Sequence, residues 1–251
     1  VGRCARINKV VEREIFMDSV ELTKICQRLK LPSTATLTSV LRSQGITRSF
    51  MHNVGPLGKD MRMAGPAYTL RYIPAREDLD EEPVDNLKDV QRIGIEEFPQ
   101  GSVFVIDARG DTRAGTMGSI LAKRLQVKGA AGIVTDGAYR DSPAIISSGL
   151  PSFAAGMNAH TNKTIHFPSE IQVPVACGEV AVFPGDIIVG DDEGVVVVPL
   201  KLAQETANRA VEMERKEDFI YNKISSGASI IGTYPPDKKT MAEYENWKKK
   251  N

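Results

Sequence analysis

Two spacings of apolar residues divide the chain into a helix-rich first part and a strand-rich second part. Apolar residues at three- to four-residue intervals predict helices over 19–31, 34–42, 87–97 and 202–224. Short apolar runs bounded by glycine, proline or aspartate predict strands over 63–72 and 103–107, and four more in succession after residue 171. A helix–strand–helix centre followed by consecutive strands predicts an α/β fold of mixed layers with an antiparallel portion, rather than a doubly wound sheet.

The same pattern divides the chain into three regions. Residues 1–32 are predicted to form an extended arm and a helix, 33–224 a single catalytic-type domain, and 225–251 a C-terminal arm ordered where it packs on a neighbour. A charged stretch over 76–85 is compatible with a solvated loop, or with a lid or partner contact. Small and polar residues dominate 150–166, where no single element is predicted.

The segment from Thr116 to Asp141 has the most informative local pattern. An apolar helical stripe is predicted from residues at three- to four-residue spacing, namely Met117, Ile120, Leu121 and Leu125. Gly129 is predicted to end that helix, and 132–135 to form a short buried strand. Asp136-Gly137 is then predicted to form a turn.

Arg140 and Asp141 follow in a predicted loop, and Ser142-Pro143 can start the next helix. The first turn of the preceding helix offers unpaired backbone N–H groups, which attract anions. Arginine binds a carboxylate through two hydrogen bonds, and aspartate binds hard cations. The sequence therefore predicts a site for a small oxo-acid held against a metal ion. By residue type alone, Arg140 could also be a surface ion pair, and Asp141 the N-cap of the next helix.

Two short motifs, Gly118-x-x-Leu121 and Asp136-Gly137-x-x-Arg140-Asp141, carry a resemblance to a known family. They resemble the regulator of ribonuclease E activity A family, including its enzymatic branch of class II aldolases that cleave 4-hydroxy-4-methyl-2-oxoglutarate and oxaloacetate. The resemblance extends from about Ser33 to Glu217. It implies the swivelling β/β/α fold, a homotrimer or homohexamer with an active site between subunits, and a lyase that releases pyruvate.

The resemblance also implies roles for individual residues. Arg140 would hold the carboxylate and keto oxygen of a pyruvyl group and steady the enolate that forms. Asp141 would bind Mg²⁺ or Mn²⁺, which polarises the keto oxygen. The substrate carboxylate would approach a backbone turn made of Gly118, Ser119, Ile120 and Leu121.

Acidic residues are expected to extend this predicted metal site. Glu217 falls where the family has an acid that reaches a neighbouring subunit's metal through water. The family commonly has another acid at the position of Ser119, whose carboxylate orients a metal-bound water for proton transfer. Because serine cannot supply that carboxylate, Asp111 in the preceding loop is the candidate to replace it.

The charge balance, the apolar runs and the cysteine content argue against several classes of function. Lysine plus arginine equals aspartate plus glutamate at 32 each, and basic residues with interleaved aromatics do not cluster, which argues against direct nucleic-acid recognition. No apolar run approaches the roughly 20 residues of a membrane helix. The three scattered cysteines favour a reducing cytoplasm. The three histidines lack metal-ligand spacing and are interpreted as packing or surface residues.

Two alternatives to a pyruvate-releasing lyase are compatible with the sequence. The family name alone suggests a non-catalytic protein that docks on a ribonuclease and inhibits it. The serine at position 119 suggests instead an enzyme of the same fold that acts on a different, sugar-derived oxo-acid.

Overall fold

Helices and strands cover most of residues 19–78 and 84–250, which are the residues that this computed structural model describes. The arm predicted before residue 19 and part of the charged stretch 76–85 lie outside the described residues. The helices are α1 (Ser19–Leu29), α2 (Thr34–Ser43), α3 (Val90–Glu97), α4 (Ser119–Val127), α5 (Ser142–Ser148), α6 (Ala203–Ser225) and α7 (Lys238–Lys248). The strands are β1 (Gly55–Pro56), β2 (Met63–Pro74), β3 (Val103–Asp107), β4 (Gly115–Met117), β5 (Gly132–Tyr139), β6 (Ser152–Met157), β7 (His166–Ile171), β8 (Val175–Cys177), β9 (Val180–Val182), β10 (Ile187–Asp191) and β11 (Gly194–Val198).

One mixed sheet organises these elements. Its strand order is β1-β6-β5-β3-β2-β10-β11, with β4 beside β5 and β7 beside β2. The pairs β2–β3, β3–β5 and β5–β6 are parallel, whereas β10 pairs antiparallel with both β2 and β11. The hairpin β8–β9 forms a separate two-stranded sheet. The predicted mixed α/β fold with an antiparallel portion is confirmed.

Three apolar clusters lie on the faces of the strands. One lies between the sheet and the β8–β9 hairpin, and a second lies between the parallel strands and the helices α3, α4 and α5. The third joins β10 and β11 to α1, α2 and α6. In β11, Val195 and Val197 belong to the first cluster and Val196 and Val198 to the third. This run of four valines is apolar throughout because both faces of the strand are covered.

The strand predicted over 132–135 is longer than expected, and the predicted turn at Asp136-Gly137 is wrong. β5 continues to Tyr139, with an irregular pairing to β6 between Thr135 and Ala138. The buried Asp136 carboxylate accepts backbone N–H groups from another loop, so tertiary hydrogen bonds override the local turn preference. The glycine beside it is required by space, since a Cβ on Gly137 would lie 2.6 Å from Cβ of Ala108.

The predicted apolar stripe of α4 is also partly wrong. Met117 is buried in β4, before the helix begins, and Ile120 is 83% exposed. The residues that α4 buries are Ala122 and Leu125. Met117 of β4 and the residues of α4 happen to lie at helical spacing. The apolar pattern therefore predicts one helix, although Gly118 separates the strand from the helix.

β6 and α7 are among the elements that occur where none was predicted. β6 lies in the segment 150–166, whose small residues give little strand signal. The predicted C-terminal arm contains α7, which packs Tyr244 and Trp247 on Phe219 of α6 in the same chain. The aromatic contacts that stabilise α7 are long-range, so local sequence alone did not reveal them. Within the described ranges, no helix is long and apolar enough to cross a membrane.

Candidate active site

A short strand brings the chain to the N-terminus of α4. β4 runs parallel to the end of β5, with Met117 beside Tyr139, so the β4–α4 and β5–α5 connections lie side by side. Gly118 occupies the N-cap position of α4 and makes no side-chain cap. The N–H groups of the first turn of α4 are therefore not occupied by a capping side chain from this residue, which suits them to an anionic ligand.

Gly118 is required because the side chains of the neighbouring loop pack against it. A Cβ built on Gly118 would lie 2.9 Å from Oδ2 of Asp141, and 3.2 Å and 3.4 Å from Cγ and Cδ of Arg140. A Cβ on Gly115 would lie 2.7 Å from the backbone nitrogen of Arg140. The φ of Gly118 is −109°, which other residues adopt readily, so the constraint is space and not conformation.

Arg140 follows β5 directly and lies along the β4–α4 connection. Its backbone N–H donates to the carbonyl oxygen of Met117 at 3.1 Å. Its Nε is 3.7 Å from Oδ2 of Asp141, and its side chain is 42% exposed. Within the described part of the chain, this buried Nε has no hydrogen-bond partner. The pair is thus a long ion contact that leaves guanidinium donors available to a ligand carboxylate.

Asp141 adopts the left-handed conformation, with φ 56° and ψ 30°. It stands at the N-cap position of α5 but makes no side-chain capping hydrogen bond there. Its Oδ2 instead accepts from the backbone N–H and the hydroxyl of Ser119, each at 3.3 Å. The N-cap alternative therefore describes the position of Asp141 but not what its carboxylate does. Strained conformations of this kind often occur at functional sites.

The donor set around Asp141 fits a metal ion that keeps most of its coordination as water. The carboxylate is 43% exposed, and no group of three or more His, Cys, Asp or Glu residues that could hold a metal occurs among the described residues. Zinc sites need three or four such side chains, whereas Mg²⁺ often has one or two carboxylates with waters and substrate oxygens. Asp141 is thus compatible with Mg²⁺ or Mn²⁺.

These groups line a cavity of about 460 Å³. It lies beyond the carboxyl ends of the parallel strands, where open α/β sheets commonly bind ligands. The cavity is lined by the β4–α4 and β5–α5 connections together with the start of α3, residues 161–163 and the start of β7. Buried hydrogen bonds stiffen its base, since the carbonyl oxygen of Thr116 accepts from both Tyr72 and Gln91 at 2.9 Å.

His166 also lines this cavity, which the sequence did not indicate. It is 1% exposed and stacks on Tyr72 with ring centroids 5.3 Å apart. The packing role expected for the histidines therefore fits His166. Its place in the cavity wall follows from the pairing of β7 with the distant β2, for which there was no local signal.

Asp136 holds the loop that leads into β4. Its carboxylate accepts the backbone N–H groups of Ala108 at 2.6 Å and Gly110 at 3.0 Å. Burial raises the pKa of Asp136 to about 6, and the nearby Asp107 charge adds to this, while the backbone N–H groups oppose it. Asp136 therefore holds the loop before β4 from within β5, the strand that ends at Tyr139 directly before Arg140.

The raised pKa of Asp136 predicts a pH-dependent stability. Between pH 3.8 and about 6, Asp136 is protonated in the folded state but largely ionised in the unfolded state. The free energy of unfolding of the native chain therefore falls as the pH rises through that range. The stability of Asp136→Asn relative to the native chain should therefore rise by about 2 kcal/mol from pH 4 to 7 in denaturant titrations. Arg113 lowers the pKa of Asp111 to about 2. The difference in free energy of unfolding between Asp111→Asn and the native chain should therefore stay nearly constant from about pH 4 to 7. A flat Asp136→Asn difference would mean that Asp136 ionises normally.

Residues 34–197 match the RraA-like family, described as Aldolase/RraA. The chain belongs to this family. The match runs from α2 to β11 and includes Gly118, Arg140 and Asp141. The resemblance stated from the two sequence motifs is confirmed.

Individual RraA-like relatives have different names. A proposed 4-hydroxy-4-methyl-2-oxoglutarate aldolase of Halalkalibacterium halodurans is 29% identical over 218 residues, which cover 87% of this chain and 96% of that protein. Protein DlpA of Legionella pneumophila is 28% identical over 238 residues, but the chain spans only 38% of its length. The solved structure of Streptomyces coelicolor RraAS2, an unusual member of the RNase ES inhibitor RraA protein family, is 35% identical with a TM-score of 0.72, covering 81% of this chain and 96% of that chain.

Two residues predicted for the RraA-like metal site lie outside the cavity lining in the described structure. Asp111 binds Arg113, with Oδ2 2.6 Å from Nη2, and this hydrogen bond lowers the pKa of Asp111. Glu217 lies half-buried on α6, a helix that packs on α1 and α2. Asp111 is thus already engaged by a cation, while the predicted role of Glu217 toward a neighbouring subunit's metal stays a prediction.

Proposed function

We propose that this RraA-like chain is a divalent-metal-dependent lyase that cleaves a 4-carboxy-2-oxo acid, or a related sugar-derived oxo-acid, and releases pyruvate. The observation that carries this proposal is the packing of Arg140 and Asp141 against Gly118 at the mouth of one cavity. A helix N-terminus, a guanidinium and a carboxylate together complement the carboxylate, keto oxygen and metal ion of such a reaction. The similarity to the proposed aldolase of Halalkalibacterium halodurans supports the same reaction class.

The chain's own residues would bind and orient the oxo-acid. The first-turn N–H groups of α4 at Ile120 and Leu121 would receive the substrate carboxylate, because the N–H of Ser119 already donates to Asp141. The guanidinium of Arg140 would bind the pyruvyl end and stabilise the negative charge that develops on the keto oxygen as the C3–C4 bond breaks. Asp141 would hold Mg²⁺ or Mn²⁺, which when bound supplies Lewis-acid polarisation of the keto oxygen.

Ser119 favours decarboxylation over aldol cleavage. Retro-aldol cleavage needs a base to remove the proton of the C4 hydroxyl, whereas loss of CO₂ from oxaloacetate needs no base to begin. In this chain the residue after Gly118 is a serine, whose hydroxyl donates to Asp141, and Asp111 is paired with Arg113. We therefore expect faster turnover of oxaloacetate than of 4-hydroxy-4-methyl-2-oxoglutarate.

A coupled assay for pyruvate tests the proposed reaction. The protein, freed of metal with a chelator, should release pyruvate from oxaloacetate only after Mg²⁺ or Mn²⁺ is restored, because Asp141 alone supplies no Lewis acid. A protein-free sample with the same metal corrects for spontaneous decarboxylation. Absence of metal-dependent turnover of oxaloacetate and of related oxo-acids would refute the proposal.

A second candidate function is regulation of a ribonuclease, favoured by the 35% identity to RraAS2 of Streptomyces coelicolor. In this alternative the chain docks on the ribonuclease without catalysis. Capture of a ribonuclease E-type enzyme by the native chain and equally by Asp141→Ala, without metal-dependent pyruvate release, would favour it. In either role we propose a cytoplasmic homotrimer or homohexamer, in which Glu217 would approach a neighbour's metal through water.

A further inference from the structure

We propose that His166 is a substrate-specificity residue whose neutral imidazole donates a hydrogen bond from Nε2–H to an oxygen of the oxo-acid at the end away from the pyruvyl group. This inference rests on the proposed function for the identity of the ligand. It extends the site to the start of β7, which lines the same cavity as Arg140, Asp141 and the α4 turn.

Arg109 determines which nitrogen of His166 carries the proton. Its Nη2 lies 3.2 Å from Nδ1 of His166 and 3.3 Å from the carbonyl oxygen of Ile165. A guanidinium has donors and no acceptor, so Arg109 donates to both atoms and Nδ1 must present its lone pair. In the neutral ring the proton therefore lies on Nε2.

The surroundings of His166 keep the ring neutral. Burial lowers the pKa of His166, and the charges of Arg109 and Arg113 lower it further. Asp111 and the carbonyl group of Ala114 act in the opposite direction and do not reverse the shift. Near neutral pH the residue is thus a fixed donor rather than a cation or a base.

Nε2 of His166 is buried and makes no hydrogen bond of normal geometry within residues 19–78 and 84–250, although the carbonyl group of Ala114 acts on the ring. Buried polar atoms in folded proteins rarely remain unpaired, and an unpaired one calls for a ligand or water. Since His166 lines the cavity, the missing acceptor can be an oxygen of the bound molecule. Arg140 and the first-turn amides of α4 suit the pyruvyl end, which leaves the carboxylate or hydroxyl at the other end for His166.

Two variants separate donation by Nε2–H from packing. His166→Phe preserves an aromatic ring against Tyr72 and removes the donor, whereas His166→Gln restores a side-chain N–H. His166→Phe should raise KM for oxaloacetate about 10-fold, as for one lost hydrogen bond. It should leave the inhibition constant of oxalate, which resembles only the pyruvyl end, unchanged, and His166→Gln should recover most of the loss. Equal weakening of both ligands would indicate a packing role and would overturn the proposal.

Nitrogen-15 NMR of the imidazoles tests the same inference without catalysis. The chain has three histidines, so the His166 signals are assigned by their loss in His166→Gln. From about pH 6 to 8, where histidines usually titrate, the signals should report a neutral ring protonated at Nε2. Addition of oxaloacetate with Mg²⁺ should shift the Nε2 signal, whereas oxalate should leave it unchanged. A ring protonated at Nδ1, or an Nε2 signal indifferent to bound oxaloacetate, would refute the assignment. If these signals respond but no pyruvate forms, the lyase proposal fails while the binding role of His166 stands.

Discussion

Replacing Arg140 with alanine should lower kcat/KM for pyruvate release from oxaloacetate by about 10³-fold, which corresponds to about 4 kcal/mol of transition-state stabilisation. The aliphatic part of this side chain lies against Gly118, and its buried Nε has no hydrogen-bond partner in the described chain. The guanidinium would bind the keto oxygen most strongly when negative charge develops there. Steady-state kinetics of pyruvate release measure the effect. Because the side chain is 42% exposed, the free energy of unfolding should change by about 0.5 kcal/mol or less.

Two further arginine variants make this test specific. Arg140→Lys preserves the charge but loses the two-pronged geometry, so it should recover only part of the lost activity. Arg113→Ala removes an exposed guanidinium that pairs with Asp111 outside the cavity lining, and it should keep nearly full activity. If Arg113→Ala and Arg140→Ala lost activity equally, or if Arg140→Ala stayed fully active, Arg140 would have no role in the reaction.

The sequence predicted that Gly118, Arg140 and Asp141 lie close together, because these residues are near one another along the chain. Gly118 and Arg140 follow two parallel neighbouring strands, β4 and β5, so one helix and one strand of ordinary length bring them together. The sequence could therefore predict that a helix N-terminus would meet a guanidinium and a carboxylate. It could not predict whether the Asp141 side chain caps its own helix, because the left-handed backbone that turns it toward Ser119 depends on the packing of both connections.

The remainder of the cavity depends on contacts between distant segments. His166 reaches the wall because β7 pairs with β2, about a hundred residues earlier in the chain. Asp136 lies in β5 and not in the predicted turn, because two backbone N–H groups of a separate loop donate to its carboxylate. Neither arrangement leaves a local pattern, since spacing within a segment reports only which face of that segment is covered. Strand pairing and buried hydrogen bonds thus decide which of the polar residues line the cavity.

Gly118→Ala should reduce kcat/KM by about 10²-fold through one added methyl group. The new Cβ would lie 2.9 Å from Oδ2 of Asp141 and 3.2 Å from Cγ of Arg140, so both side chains must move. A displacement of about 1 Å at reacting groups can cost a factor of this size. The backbone φ of −109° suits alanine, so the cost comes from displaced site groups and not from backbone strain.

Gly55→Ala is the matched control, because a Cβ there would meet no atom within 4 Å. It should leave kcat/KM unchanged, and thermal unfolding should show both glycine variants folded. Weaker Mg²⁺ binding by Gly118→Ala in calorimetry would show that the displaced group includes the Asp141 carboxylate. Full activity in Gly118→Ala would mean that neither Arg140 nor Asp141 needs its observed position, and the metal-dependent lyase proposal would then lose its structural basis.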